Sequence, residues 1–211
     1  MEATSESSRR FWDRTAERYA RRPVADEAAY RTKLAKTREY LRPEMEVLEF
    51  GCGTGSTALT LAPHVRRILA TDISAKMLEI ARGKAAAAGI GNVSFEQAAI
   101  DDFETPDESF DVVLGHSILH LLHDKDAAAA KVHRMLKPGG VFVSSTVCIA
   151  DMSFLLRPFL AAGHFLGFFP PVNIFTERGL LDALAAAGFA IDHQWRPGKG
   201  KAVFIVARKP A

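Results

Sequence analysis

The chain alternates short apolar runs with longer segments that have helical periodicity. The apolar runs are typical of buried strands and fall at residues 47–50, 68–72, 93–97, 110–115 and 140–147. Helical patterns occupy the intervals between them at residues 56–62, 74–88 and 125–136. This alternation predicts a doubly wound α/β fold, with a parallel sheet covered by helices on both faces.

Both ends of the chain extend this pattern. Apolar residues recur at helical spacing from Phe11 to Tyr19, and a second helical pattern covers 28–41, so residues 1–43 are predicted to form an N-terminal helical cap. After residue 175, Thr176 caps a predicted helix that ends near Gly188. Residues 189–195 and 201–208 then form two predicted strands joined in an antiparallel hairpin.

Composition bounds the kind of protein. The 211 residues predict one domain, 1–211, with a sizeable core. A formal net charge of +2 argues against a nucleic-acid partner. Two cysteines make no disulfide framework, and the charged N-terminus is unlike a signal peptide. We therefore expect a cytoplasmic enzyme without a transmembrane segment.

The stretch VLEFGCGTG at residues 47–55 carries the clearest functional signal. A buried strand containing Glu49 ends at Gly51, and glycines follow at Gly53 and Gly55. Glycine permits positive φ and close approach of backbone N–H groups to a ligand. A helix starting near Ser56 would direct its positive end at the same place. Strand, glycine turn and helix together predict a site for a nucleotide-like ligand.

A second acidic position supports this site. Asp72 ends the next predicted strand, 21 residues after Gly51, near the spacing of about 20 at which a carboxylate binds ribose hydroxyls. The alternative is a structural role for Asp72 at the start of the helix that begins at Ser74. Asp72 by itself does not distinguish a nucleotide from S-adenosylmethionine.

The spacing of the glycines narrows the choice of ligand. A dinucleotide fingerprint requires a third glycine where this chain has Ser56. Glu49, two residues before the first glycine, suits a cationic ligand better than a pyrophosphate. Here the chain resembles the class I S-adenosylmethionine-dependent methyltransferases, of the small-molecule type 11/25 kind, whose first motif is E/D-x-G-x-G-x-G. The stretches 111–113 and 136–140 also match habitual sequences of that family.

The resemblance implies a Rossmann-like sheet of seven strands, mostly parallel with a C-terminal antiparallel hairpin, and S-adenosylmethionine as cofactor. It also implies the cofactor-binding residues, which are Tyr19, Glu49, Gly51, Cys52, Gly53, Thr54, Gly55, Asp72, Ile73, Ala99, Ile100 and His116. Ile73 would pack on the adenine, unless it is only a core residue, and Tyr19 would reach the amino-acid end.

One departure from the family lies after the third strand. Many relatives have an aspartate there that holds the adenine amino group, whereas this chain has Ala99. Backbone groups of Ala99 and Ile100 are the expected substitutes, or Asp101 if the loop shifts. The alternative is that the acidic residues from Asp101 to Glu108 form a solvated loop.

Three histidines follow the fourth strand. On a helix, His116 and His120 would share a face, as in pairs that bind zinc, but no motif supplies a third ligand and we expect no metal. By resemblance His116 lies between cofactor and acceptor, where it is the candidate for orienting the acceptor or removing its proton. The alternative is that His116 only packs. Cys148 ends the fifth strand and is interpreted as a buried thiol.

Residues 149–175 are rich in phenylalanine, and residues 158–176 contain no charged side chain. Pro170 and Pro171 argue against a membrane span. We expect an apolar lid over the acceptor, with a homodimer interface or peripheral membrane contact as alternatives.

The resulting hypothesis is a methyltransferase that acts on a small acceptor, apolar or aromatic, by in-line methyl transfer. The alternatives are an NAD-dependent oxidoreductase and a non-catalytic S-adenosylmethionine-binding subunit.

Overall fold

The computed structural model describes residues 2–152, 170 and 172–211. Within these residues seven strands form one sheet in the order β3-β2-β1-β4-β5-β7-β6. Strands β1 to β5 are parallel, and β7 runs antiparallel to both β5 and β6. The predicted fold class is confirmed. The strands are β1 (Glu46–Phe50), β2 (Arg67–Asp72), β3 (Val93–Gln97), β4 (Phe110–His116), β5 (Leu136–Thr146), β6 (Ala190–Trp195) and β7 (Val203–Arg208).

The helices of the described chain agree closely with the sequence pattern. Thr176 caps α6 as predicted, whereas Ser74, expected as the first residue of its helix, is the cap of α4; each accepts a hydrogen bond from a backbone N–H of the first turn. The helices are α1 (Glu2–Ala20), α2 (Glu27–Arg38), α3 (Ser56–Leu61), α4 (Ala75–Ala87), α5 (Lys125–Met135) and α6 (Glu177–Ala186).

Two hydrophobic clusters lie on opposite faces of the sheet. Successive residues of a strand point to opposite faces, so Val47 packs in one cluster while Leu48 packs in the other. The Val47 cluster includes Leu34 of α2 and Leu78 of α4, and the Leu48 cluster includes Val132 of α5. Because both faces are covered, the ligand-binding surface of the sheet is restricted to its edges.

Several element boundaries differ from the prediction, and the start of β5 differs most. β5 begins at Leu136, directly after α5, because Leu136 already pairs with Phe110 before a register shift in β4. The helix expected over 56–62 ends at Leu61 and continues as a 3₁₀ turn. β4 extends one residue further than expected, so that His116 is part of the strand.

The predicted lid falls largely on residues 153–169 and 171, which lie outside the described residues. Its two flanks are described and contact each other. Ala150 N donates to Phe175 O at 3.1 Å, and Asp151 accepts at 2.7 Å from the backbone N of Glu177. Arg196 forms ion pairs with both Asp151 and Glu177. Among the described helices, none has the length and apolar character needed to cross a membrane.

Candidate functional site

A cleft opens where the carboxyl ends of β1, β2 and β4 meet. It contains about 760 Å³ of unfilled space, part of it open to solvent, which lies in the range of small-molecule sites. Most of its wall is apolar. The lining residues come from the glycine turn, the ends of β2, β3 and β4, the segment after β4, and α1.

The glycine turn forms the floor of this cleft. Gly51, Gly53 and Gly55 all have positive φ, at 63°, 54° and 74°, so a side chain at any of them would be strained. Gly53 faces the ring of Tyr19, and a Cβ on Gly51 would clash with Ile118. The turn therefore exposes backbone to whatever occupies the cleft.

Gly55 has a packing role as well. A Cβ there would lie 2.9 Å from Cβ of Ala81 and 3.2 Å from the ring of Phe95, which brings α3 close to α4 and β3. Close packing of this kind falls to the third glycine of a dinucleotide fingerprint, at the position of Ser56 in this chain. The structure thus places the close contact one residue earlier than that fingerprint requires.

Asp72 lies at the end of β2 and joins the turn to the next helix. One carboxylate oxygen accepts from Gly53 N at 2.8 Å, and the other accepts from Ser74 N at 2.9 Å. Burial raises the pKa of Asp72, although both N–H donors oppose the shift. Asp72 therefore has a structural role at the start of α4 and also forms part of the cleft wall.

Glu49 is buried beneath the turn, with 2 % of its surface exposed. Its Oε2 atom has no hydrogen-bond partner among the described residues. Burial raises the pKa of Glu49 to about 8, and the charge of Asp72 raises it further, against one N–H donated by Ala58. Two neighbouring buried carboxyl groups favour a cationic ligand, because a positive charge would lower the free-energy cost of ionising both.

Thr54 and Cys52 shape the turn from behind rather than line the cleft. Lys84 Nζ, from the last turn of α4, donates to Thr54 Oγ1 at 2.8 Å and to Ser56 Oγ at 3.3 Å. Cys52 Sγ lies 3.7 Å from Gly53 O, and burial raises the pKa of its thiol. Lys84 was not identified from the sequence, because its 30-residue separation from Thr54 carries no periodic signal.

Helix α1 forms a wall of the cleft through Trp12 and Tyr19, whose rings meet edge to face with centroids 5.9 Å apart. Asp13 fixes this helix to the N-terminus of α4, where its Oδ1 accepts from Ser74 Oγ at 2.7 Å and from Lys76 N at 3.2 Å. The sequence predicted Tyr19 at the site. It gave no sign of the Asp13 contact, which links residues 61 positions apart.

Ile73, Ala99 and Ile100 line one end of the cleft. Gln97 holds this end through Nε2, which donates to Ile73 O at 2.9 Å. Asp101, the proposed substitute for the missing aspartate, is absent from the cleft wall; its carbonyl accepts from Lys131 Nζ at 2.8 Å on the outer side. The expectation that Asp101 reaches the adenine thus finds no support in this conformation.

Comparison with known proteins agrees with this geometry. Residues 47–140 match the family model described as a methyltransferase domain. An uncharacterized methyltransferase of Bacillus subtilis (strain 168), YcgJ, is 33% identical over 132 residues, which are 63% of this chain and 52% of that protein. By these matches the chain is similar to class I S-adenosylmethionine-dependent methyltransferases.

Two further proteins extend the comparison. The ubiquinone/menaquinone biosynthesis C-methyltransferase UbiE of Shewanella sp. (strain ANA-3) is 38% identical over 103 residues, covering 47% of this chain and 41% of UbiE. The chain thus spans about half of the curated relatives' length. The crystal structure of an S-adenosylmethionine dependent methyltransferase from Mesorhizobium loti is 25% identical with a TM-score of 0.71, over 87% of this chain and 99% of that one.

The residues of the cleft fit S-adenosylmethionine, the cofactor of the methyltransferases that the chain resembles. The carboxylate of Asp72 lies beside a floor of glycine backbone, and a cationic ligand would favour ionisation of Glu49, whose buried Oε2 has no partner among the described residues. Asp72 would hold the ribose, and Ile73 with Ala99 would line the adenine end. The cofactor supplies an electrophilic methyl group when bound. The assignment of each residue to a part of the cofactor stays a prediction.

His116 lines the cleft from the end of β4, where its ring stacks on Phe204 with centroids 6.4 Å apart. Its Nε2 is buried without a partner among the described residues, and burial lowers its pKa to about 4. The helical spacing invoked for a zinc pair is wrong, since His116 lies in a strand and His120 in a 3₁₀ turn. Cys148 is buried, and burial raises its pKa to about 12, in agreement with an unreactive thiol.

Proposed function

We propose that this chain transfers a methyl group from S-adenosylmethionine to a small apolar or aromatic acceptor. The observation that carries the proposal is the contrast between the two sides of the cleft. The carboxylate of Asp72 and open glycine backbone lie on the side of β1 and β2, with Glu49 buried behind them, while Ile118, Leu121 and Leu122 form an apolar wall beyond β4. A cation and an apolar acceptor would each find a matching surface.

The chemistry asks little of the protein beyond alignment. Methyl transfer from a sulfonium disperses positive charge, so a cleft of low polarity that excludes water favours it. Trp12 and Tyr19 of α1 and the apolar wall after β4 would exclude water and hold the acceptor in line. His116, neutral at pH 7 because burial lowers its pKa, is placed to orient the acceptor or take its proton.

A printed name among the relatives is compatible with a small acceptor. UbiE is named as a C-methyltransferase of ubiquinone and menaquinone biosynthesis. Since this chain spans 41% of that protein, the name supports the class of acceptor and not its identity. A non-catalytic S-adenosylmethionine-binding subunit would need the same turn held by Asp72, so only turnover separates it from the enzyme.

Calorimetric titration tests the cofactor assignment. We expect micromolar binding of S-adenosylmethionine and S-adenosylhomocysteine, no binding of NAD, and loss of binding in Asp72→Ala. Asp102→Ala is the matched control, because Asp102 is exposed and lies outside the cleft. Binding of NAD alone would contradict the proposal. Methyl transfer by the isolated chain to a panel of phenols and quinols would then exclude the non-catalytic subunit.

The proposal also covers the organisation of the chain. We infer one domain over residues 1–211, a cytoplasmic location and an apolar lid over residues 149–175, with a homodimer formed through that segment as the alternative. Two buried free thiols, Cys52 and Cys148, support a reducing compartment. Light scattering on the purified chain tests the dimer, and a monomer at all concentrations would contradict it.

A further inference from the structure

Three polar side chains meet where β4 and β5 end. His116 pairs in register with Ser145 across the two strands. Lys33 of α2 reaches the same place, where its Nζ donates to Ser145 Oγ at 2.7 Å. Because His116 also lines the cofactor cleft, this group lies at the border of the cleft and α2. We refer to Lys33, His116 and Ser145 as the polar trio.

The charge of Lys33 has no partner of opposite sign in the part of the chain that the structure describes. Its hydrogen bond goes to a neutral hydroxyl, and Asp26 acts on it only as a more distant charge. Burial lowers the pKa of Lys33, which shows that the ammonium is partly withdrawn from water. An ammonium in such a place costs free energy unless a ligand supplies a negative charge.

His116 is the second member of the trio with an unsatisfied polar group. Its Nε2 is buried and has no hydrogen-bond partner among the described residues. The ring lies flat against Phe204, which fixes its plane and leaves the edge available. Ser145 is 2 % exposed and faces the same side of the sheet. The trio thus offers one charge and two hydrogen-bonding groups next to the apolar wall formed by Ile118, Leu121 and Leu122.

We propose that the polar trio is the acceptor subsite and that it takes the ionised hydroxyl of a phenol or enol. This inference rests on the proposed function, since it places the acceptor beside the cofactor cleft. A single ammonium matches a single oxyanion, whereas a phosphate with two charges would require more cationic donors. The apolar wall after β4 suits the ring or conjugated carbon skeleton that makes such a hydroxyl acidic.

The subsite explains why α2 belongs to the functional unit. Lys33 is the only member of the trio that comes from the N-terminal helices, and its hydrogen bond spans 112 positions of the chain. Lys33 and Ser145 are recognition residues in this proposal, because they touch the acceptor oxygen and not the transferred methyl group. His116 would then position the oxygen from the other side.

Binding of 4-nitrophenol tests the proposal and requires no methyl transfer. The ionised form is detected directly, because only the phenolate absorbs visible light. The protein, saturated with S-adenosylhomocysteine, is titrated with 4-nitrophenol and with 4-nitroanisole at a pH where free 4-nitrophenol is mostly protonated. We expect the wild type to bind 4-nitrophenol roughly ten-fold more tightly than 4-nitroanisole, and the phenolate absorption band to grow during the titration. Lys33→Met should abolish both the preference and the band.

Lys36→Met is the matched control, since Lys36 lies one turn along α2 and pairs with Glu39 on the surface. It should keep the preference. A wild type without preference, or a preference that survives in Lys33→Met, would overturn the proposal. Calorimetry with S-adenosylhomocysteine on the same proteins tests the proposed function separately from the acceptor subsite. If the wild type binds S-adenosylhomocysteine normally but shows no preference for 4-nitrophenol, only the subsite is contradicted. If the wild type does not bind S-adenosylhomocysteine, the proposed function is contradicted as well.

Discussion

The carboxylate of Asp72 accepts a hydrogen bond from the backbone N of Gly53 at 2.8 Å. This contact joins the end of β2 to the glycine turn after β1. The second oxygen of Asp72 accepts from Ser74 N at the start of α4. One side chain therefore fixes two loops of the site, so a change at Asp72 affects the fold as well as the ligand.

Asp72→Asn, measured without cofactor, tests the contribution of Asp72 to the stability of the fold alone. An amide has one acceptor oxygen, so one of the two backbone N–H groups loses its partner, at a cost of about 1–3 kcal/mol. We expect the free energy of unfolding in urea to fall by about that amount without cofactor. Asp102→Asn, on an exposed loop, should change it little. An unchanged midpoint in Asp72→Asn would show that the two contacts contribute nothing to stability.

Gly55→Ala tests the close packing of the turn. The new Cβ would lie 2.9 Å from Ala81 and would hold a positive φ, so we expect a loss of about 1–3 kcal/mol. Gly83→Ala is the matched control in α4, where a Cβ meets nothing within 4 Å. It should raise the free energy of unfolding by up to about 1 kcal/mol. Equal effects of the two substitutions in thermal unfolding would contradict this account.

Asp13→Ala should loosen α1 from the cleft. The substitution removes the acceptor for Ser74 Oγ and Lys76 N, and we expect faster hydrogen exchange in α1 together with weaker cofactor binding. Asp13→Asn keeps one acceptor oxygen and should have the smaller effect. Protection of α1 that is identical in the wild type and both variants would rule out this role.

Glu49 makes stability depend on pH. Its pKa rises from 4.5 to about 8 on folding, chiefly through burial, so between those values the folded state holds a proton that the unfolded state has released. Stability therefore falls as pH rises from about 4.5 to about 8 and is level above that. Glu49→Gln should remove most of this decline, whereas Glu46→Gln at the surface ion pair with Arg67 should leave it in place. Urea unfolding across this range measures both slopes.

His116 makes stability depend on pH in the opposite direction to Glu49. Burial lowers its pKa from 6.5 to about 4, so the unfolded state takes up a proton first and stability falls as pH drops from about 6.5 to about 4. His116→Gln should flatten that acid limb by about 1–3 kcal/mol. His120, whose pKa burial also lowers to about 4, should give a similar result. An acid limb that is unchanged in both variants would show that these rings are not held neutral in the fold.

Local sequence predicted the elements well because their signals are local. The cap at Thr176, the glycines of the turn and the alternation of β1 all act within a few residues of one another. The start of β5 was misplaced by four residues because pairing with β4, and not the stretch around Pro138, decides where that strand begins.

The sequence by itself determined the order of strands and helices, the glycine turn and the place of Asp72 at a strand end. Only the tertiary structure decided which distant groups meet there: Asp13 with Ser74, Lys84 with Thr54, and Lys33 with Ser145. These contacts span 30 to 112 positions. No periodicity encodes them, because they arise from the packing of helices on a sheet whose strand order differs from chain order.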